Sequence, residues 1–243
     1  MAELIDSVYL SYRTYNSVML VFLCRNQVNN VYEVLRRNSY VLDFDGVLVH
    51  RFPQVMDSLS ARKELAKAMI EYGFSVDEIK NYTDPYDLIK LCYGTWGIHD
   101  KFELLSNILK RYEVYAIPKV VVDLRAGELL ETLIRKGKNV YISSLQSSSI
   151  IYFFLKKLRV PLDKVRVCGR DAGGRPKPYP DQLIGLVGED SVVIGDSLTD
   201  GYLARNINSR FIGLDTGGYT CYELCDVGAV AVFSSVDELL NYI

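Results

Sequence analysis

The chain has 243 residues, 49% hydrophobic and 24% charged, with a formal net charge of -2. This composition supports a buried core in one large domain, or a main domain with a smaller insertion. The mildly acidic balance speaks against a nucleic-acid protein, which presents a basic face. No apolar run reaches the roughly 18 residues that span a bilayer, and the start lacks the basic flank of a secretory leader, so a cytoplasmic protein with no membrane partner is expected.

In chain order, residues 2 to 24 carry apolar side chains at Leu4, Ile5, Val8, Tyr9, Tyr12, Tyr15, Val18, Met19, Phe22 and Leu23. That spacing predicts a helix. A second helix is expected over 28–37, making residues 1–38 an N-terminal helical extension. Its apolar stripe must pack on the main body, the inserted segment or another subunit, and a homodimer through these helices is one candidate.

From residue 39 the rhythm becomes strand then helix. Strands are expected at 40–44, 139–143, 164–168, 191–195, 210–214 and 228–233. Helices are expected at 125–137, 147–158, 179–187, 199–207 and 235–242. Short apolar strands alternating with helices predict an α/β, doubly wound parallel sheet covered on both faces. Residues 50–118 break the alternation. They predict only amphipathic helices, at 58–73, 76–81, 84–93 and 100–113, the third opened by Asp84 and Pro85. The block reads as a helical insertion between 39–49 and 119–243.

The five cysteines, Cys24, Cys92, Cys168, Cys221 and Cys225, do not make a disulfide framework. Cys221 and Cys225 share a helix face at their spacing, which leaves a disulfide or a metal pair open. With no His or further Cys nearby to complete a zinc site, two free thiols are the plainer expectation.

Ligands of a parallel α/β sheet bind at the carboxyl ends of its strands. The polar residues there are Asp43 and Asp45 after the first strand, Ser143 and Ser144 after the second, Lys177 after the third, and Asp196 and Asp200 after the fourth. Several carboxylates converging in one cleft cannot all ionise without compensation. Oxygen donors without His or Cys suit Mg²⁺ rather than zinc or copper. A lysine and a serine beside the metal supply a cation and a hydroxyl for a phosphoryl group. One carboxylate can attack phosphorus, and a second can move the proton.

The motifs DFDGVLV (43–49), the strand ending Ile142-Ser143-Ser144, Lys177 in RPKPYPD and GDSLTD (195–200) follow one another in this order. In that order the chain resembles the haloacid dehalogenase-like (HAD) superfamily of phosphohydrolases, and among them the phosphoglycolate phosphatase-like proteins. The resemblance covers residues 39 to 243. It implies a Rossmann-like core with 50–118 as the helical cap. It also implies Asp43 as nucleophile and metal ligand, and Asp45 as general acid/base that offers its carbonyl to the metal. Ser143 and Lys177 would hold the phosphoryl group, with Ser144 supporting that loop. Asp196 would be a further ligand of Mg²⁺, and Asp200 would stand behind the ligands or orient Lys177. Gly46 would allow the tight turn beside the phosphoryl group.

The expected activity is therefore a Mg²⁺-dependent phosphatase acting on a small phosphorylated metabolite through an aspartyl-phosphate. A sugar phosphomutase of the same superfamily is the first alternative. A phospho-accepting signalling or interaction protein is an alternative of another class, opposed by the Asp43–Asp45 pair and the inserted cap. A dehalogenase is disfavoured by Asp45, and a phosphonate hydrolase would need an amine from Lys63, Lys67, Lys80 or Lys90. His50, Arg51 and Arg175 lie near the site in sequence and could meet a second anionic group of the substrate, with solvated loop roles the plainer expectation; the aromatic loop Tyr93 to Gly97 in the insertion could present Trp96 to a substrate or pack the cap's own helices.

Overall fold

The run Ser39–Leu42 is buried along its whole length and lies inside the main sheet. The computed structural model describes residues 13–14, 17–18, 21–24, 28–50, 52–96 and 100–243, and all statements below concern these.

A short antiparallel ribbon of β1 (Arg13–Thr14) and β2 (Ser17–Val18) comes first, followed by strand β3 (Val21–Leu23) and helix α1 (Val28–Val34). Strand β4 (Ser39–Leu42) starts the core, and β5 (Val49–His50) leaves it. The inserted block holds α2 (Phe52–Val55), α3 (Ser58–Glu71), α4 (Val76–Ile79), α5 (Pro85–Trp96) and α6 (Asp100–Ala116). The chain returns through β6 (Val121–Val122), which pairs antiparallel with β5, so the two links between core and insertion form one ribbon. The core then continues with α7 (Leu124–Arg135), β7 (Asn139–Ser143), α8 (Ser148–Lys157) and β8 (Val165–Cys168). It ends with β9 (Ser191–Gly195), α9 (Leu198–Asn206), β10 (Arg210–Leu214), α10 (Cys221–Asp226), β11 (Ala229–Phe233) and α11 (Val236–Leu240).

The main sheet has seven strands in the order β3-β11-β10-β9-β4-β7-β8. All pairs are parallel except β11 with β3. The chain order reverses between β9, β4 and β7, and such a switch point opens a crevice beyond the carboxyl ends of the strands. β4 takes the middle of this crevice because Tyr40, Val41 and Leu42 are apolar on both faces and find cover on both. In the cap, α3 packs on α5 and α6 through Leu65, Met69, Leu88, Ile89, Leu105 and Leu109, all buried. Among the described residues no helix is long and apolar enough to cross a membrane.

Three expectations need correction. The continuous helix over 2–24 is not what residues 21–23 form: they are the antiparallel edge strand beside β11, which buries Leu23. The stripe from Leu4 to Tyr12 lies outside the described residues. Residues 179–187 make successive turns instead of a helix, with Pro180 accepting from Leu183 and Ile184, and Gly185 at φ +75°. The cysteine reading also changes: Cys225 pairs with Cys24, not Cys221, with Cα atoms 5.5 Å apart, while Cys92, Cys168 and Cys221 are free and buried.

Candidate active site

Asp43 follows β4 directly, and its N–H still donates to Ile194 in β9 at 2.9 Å, which continues the strand ladder to the sheet edge. Its carboxylate is nearly buried. One oxygen accepts the Phe44 N–H at 2.6 Å and lies 2.6 Å from Lys177 Nζ. Lys177 sits between two acids, since Asp200 Oδ1 is 2.7 Å from the same ammonium. Burial works against that ammonium, but Asp200 and Asp43 outweigh it and hold Lys177 above the ordinary lysine value. Asp200 is an anchor on both sides: its other oxygen accepts the Ser197 N–H at 3.2 Å and hydroxyl at 2.6 Å, closing a capping box on α9. The helix-cap role and the lysine-orienting role therefore belong to the same carboxylate.

Asp43, Asp196 and Asp200 each offer a carboxylate oxygen, all within 4.8 Å of one another. Burial, then repulsion by Asp200, pushes Asp43 up to about 8 despite Lys177. Asp196 is likewise held well above the carboxylate range by burial and by Asp43. Asp45 is pushed up to about 6 by burial, although its Oδ1 accepts the Phe52 N–H at 3.1 Å. One ammonium does not balance this group, and every donor is a hard oxygen. The set fits a hard divalent cation such as Mg²⁺, with Asp43 and Asp196 as the residues that would hold it.

The backbone is shaped around Asp196. Gly46 has φ +78°, and a Cβ there would come within 1.8 Å of Asp196 Oδ2. Gly217 approaches from the other side, where a Cβ would lie 2.6 Å from the same oxygen. The Thr216 hydroxyl donates to the Gly46 carbonyl at 2.6 Å and ties the two loops together. The loop 216–219 thus lines the site, which the sequence reading missed. Its signal was a glycine pair just after a strand end.

A cavity of about 330 Å³ opens over these groups, walled by Asp43, Asp45, Lys177 and Asp196 from the core and by Gln54, Asp84, Asp87 and Lys90 from the cap. Ser143 and Ser144 are buried beside it but are not among its lining residues; Leu145 and Gln146 are. The Ser144 hydroxyl is engaged within its own loop, donating to the Gln146 side chain and accepting the Gln146 N–H at 3.2 Å.

The other residues singled out from sequence have structural partners. His50 Nε2 lies 2.9 Å from Asp123 across the cap ribbon. Arg175 is paired with Asp181 at 2.9 Å and stacks on Tyr179. Tyr93 is buried edge-on against Phe102 and donates to the Gly174 carbonyl at 2.5 Å. Arg51, Gly97 and the Trp96 side chain lie outside the described residues.

One feature of the site region gave no sequence signal. Arg170, after β8, is fully buried and grips Glu113 of α6 with both terminal nitrogens, at 2.5 and 3.1 Å. It also donates to the Ser106 hydroxyl and carbonyl and to the Leu145 carbonyl. Glu113 accepts from Tyr86, whose ring borders the cavity.

No family model and no curated protein matches the chain. Solved structures do. A hydrolase from Pseudomonas syringae is 27% identical, with a TM-score of 0.62, over 84% of this chain and 96% of that one. A HAD family hydrolase from Deinococcus radiodurans, solved with bound phosphate and sodium, is 22% identical, with a TM-score of 0.53, over 84% and 93%. A predicted phosphoglycolate phosphatase from Haemophilus somnus is 18% identical, with a TM-score of 0.57, over 85% and 97%. The fold they share is the one described above, and the motif acids and lysine meet at its sheet edge: the chain has the fold of the haloacid dehalogenase-like hydrolases.

Proposed function

We propose that the protein is a Mg²⁺-dependent phosphatase that takes the phosphoryl group from a small phosphorylated metabolite onto Asp43 and then releases it to water. The observation that carries this reading is the buried Asp43–Lys177–Asp200 chain beside Asp196, at the floor of a cavity roofed by the cap. An Asp43 oxygen attacks phosphorus, forming an acyl-phosphate as the bond to the alcohol oxygen breaks. Asp45 gives the departing oxygen its proton. Burial pushes Asp45 up to about 6, which brings its titration close to neutral pH, where it can both give and take a proton. Asp45 then takes a proton from water as that water attacks the acyl-phosphate, and phosphate leaves with Asp43 restored. Lys177 holds positive charge against the transferring oxygens, and Asp200 fixes its position. Mg²⁺, when bound, would offset the Asp43 and Asp196 charges and draw charge off the phosphoryl group.

A sugar phosphomutase would use the same residues but hand the phosphoryl group back to a sugar. Stoichiometric release of inorganic phosphate favours the phosphatase, and an isomeric sugar monophosphate formed without phosphate release favours the mutase. A phosphonate hydrolase needs a free amine, and Lys90, the cap lysine that lines the cavity, is tied to Asp87 at 2.5 Å. The test is Mg²⁺-dependent phosphate release across a panel of phosphate esters, with acid trapping of the phosphoprotein. Asp43→Asn should lose both turnover and trapped phosphate. Normal turnover in that variant would refute the nucleophile assignment.

A further inference from the structure

We propose that the cap end of the cavity selects phosphate esters whose alcohol part carries hydroxyl or ammonium donors and no second acid group. The inference rests on the phosphatase reading and adds a substrate class to it.

The cavity has two ends of different charge. At the core end, Lys177 and the cation for which the carboxylates are suited meet the substrate's phosphate. At the cap end stand Asp84 and Asp87, from the start of α5, with Lys90 one turn on and Gln54 on α2. Lys90 Nζ is held by Asp87 at 2.5 Å. Asp84 accepts the Tyr86 N–H at 2.7 Å and has no ion-pair partner among the described residues. Two carboxylates against one ammonium leave this end net negative. Tyr219 faces it from the core loop, and burial, then the field of Asp87, keeps its hydroxyl protonated as a donor.

A carboxylate or second phosphate on the substrate would enter this end against Asp84 and Asp87, where the cation is already taken. A hydroxyl donates to the same carboxylates, and an ammonium does so with charge. A volume of about 330 Å³ suits a metabolite of sugar-phosphate size or smaller. The opposing arrangement, in which Lys90 swings from Asp87 to a substrate anion, predicts the reverse preference.

A size-matched series decides between them: glucosamine 6-phosphate, glucose 6-phosphate and 6-phosphogluconate, with phosphoethanolamine against phosphoglycolate as a smaller pair. The readout is kcat/KM, or Ki against p-nitrophenyl phosphate for a member that is not turned over. The amine and neutral esters should outperform the acid by about tenfold or more, the scale of one partly screened charge contact. Asp84→Asn and Asp87→Asn should each shrink the amine-over-acid ratio by several-fold. Asn at position 84 keeps the acceptor for the Tyr86 N–H, so a changed ratio there reports charge rather than a lost helix cap. Preference for the acid esters, or a ratio unchanged in both variants, overturns the proposal while leaving the phosphatase reading intact. No Mg²⁺-dependent turnover of any ester, p-nitrophenyl phosphate included, overturns both.

Discussion

Arg170 in the core and Glu113 in the cap form a two-pronged ion pair with neither side chain exposed, 57 residues apart in sequence. Every terminal nitrogen of the guanidinium has a further acceptor or the carboxylate itself, so the pair satisfies the condition under which buried charges persist. Through Tyr86 on one side and the Leu145 carbonyl on the other, it joins the cap wall of the cavity to the loop after β7. The cap is therefore fastened to the core at this point by more than its two covalent links.

Removing one partner leaves the other charge buried and alone. Arg170→Met or Glu113→Leu should destabilise the protein by about 3–5 kcal/mol, read by urea unfolding. The double variant should recover part of that loss, because no unpaired charge remains. Additive losses in the double variant would show that the pair does not act as a unit.

Asp45→Asn should slow turnover far more for alkyl phosphates than for p-nitrophenyl phosphate, by about 100-fold or more in the first case. A phenolate with electron-withdrawing substituents leaves without a proton, and an alkoxide does not. Equal losses on both substrates would place Asp45 outside proton transfer.

Gly46→Ala should remove Mg²⁺-dependent activity and cost about 1–2 kcal/mol of stability from the positive φ alone. The added methyl would also displace the Asp196 carboxylate, whose oxygen lies only 1.8 Å from where it would stand. Isothermal titration with Mg²⁺ separates the two effects: an unchanged heat of binding would mean that Asp196 is not a ligand.

The site acids make a prediction about pH. Asp43 titrates at about 3.8 in an unfolded chain and is raised to about 8 in the fold, with Asp196 raised in the same direction. Between those values the unfolded chain has lost the proton that the native protein keeps, so metal-free stability falls as pH rises from about 4 to 8. A cation that binds only the native carboxylates should reverse this. Mg²⁺ at 100 times its Kd should add about 2.7 kcal/mol at pH 8 and much less at pH 5, where protons compete for the same oxygens. Calorimetric scans with and without Mg²⁺ at both pH values check it, and equal gains at the two would count against these carboxylates as ligands.

The Cys24–Cys225 bond closes a loop of 201 residues. It ties the residue after edge strand β3 to α10, so its loss should free that edge and cost about 2–4 kcal/mol in Cys24→Ser. Alkylation of the unreduced, denatured protein should label Cys92, Cys168 and Cys221 and spare the other two. Purified under the reducing conditions of a cytoplasm, the protein should show all five thiols.

The strands of the parallel sheet, the helical insertion and the positions of Asp43, Asp45, Lys177, Asp196 and Asp200 were all legible in the sequence. Each depends on a local rule: apolar runs of strand length, helical spacing, and polar residues just past strand ends. The same rules failed where local pattern is ambiguous. Residues 18–24 suit a helix by spacing and a strand by their branched and aromatic side chains, and pairing with β11 decided it for 21–23. Residues 179–187 have helical spacing, but Pro180 and Gly185 turned them aside. What only the tertiary structure decided are the meetings of distant residues: Arg170 with Glu113, Cys24 with Cys225, Gly46 and Gly217 against Asp196, and the cap acids Asp84 and Asp87 over the cavity. A charge, a thiol or a glycine carries no local mark of its partner. Its energy depends on which surfaces the sheet order and the cap ribbon bring together, and that is a property of the whole chain.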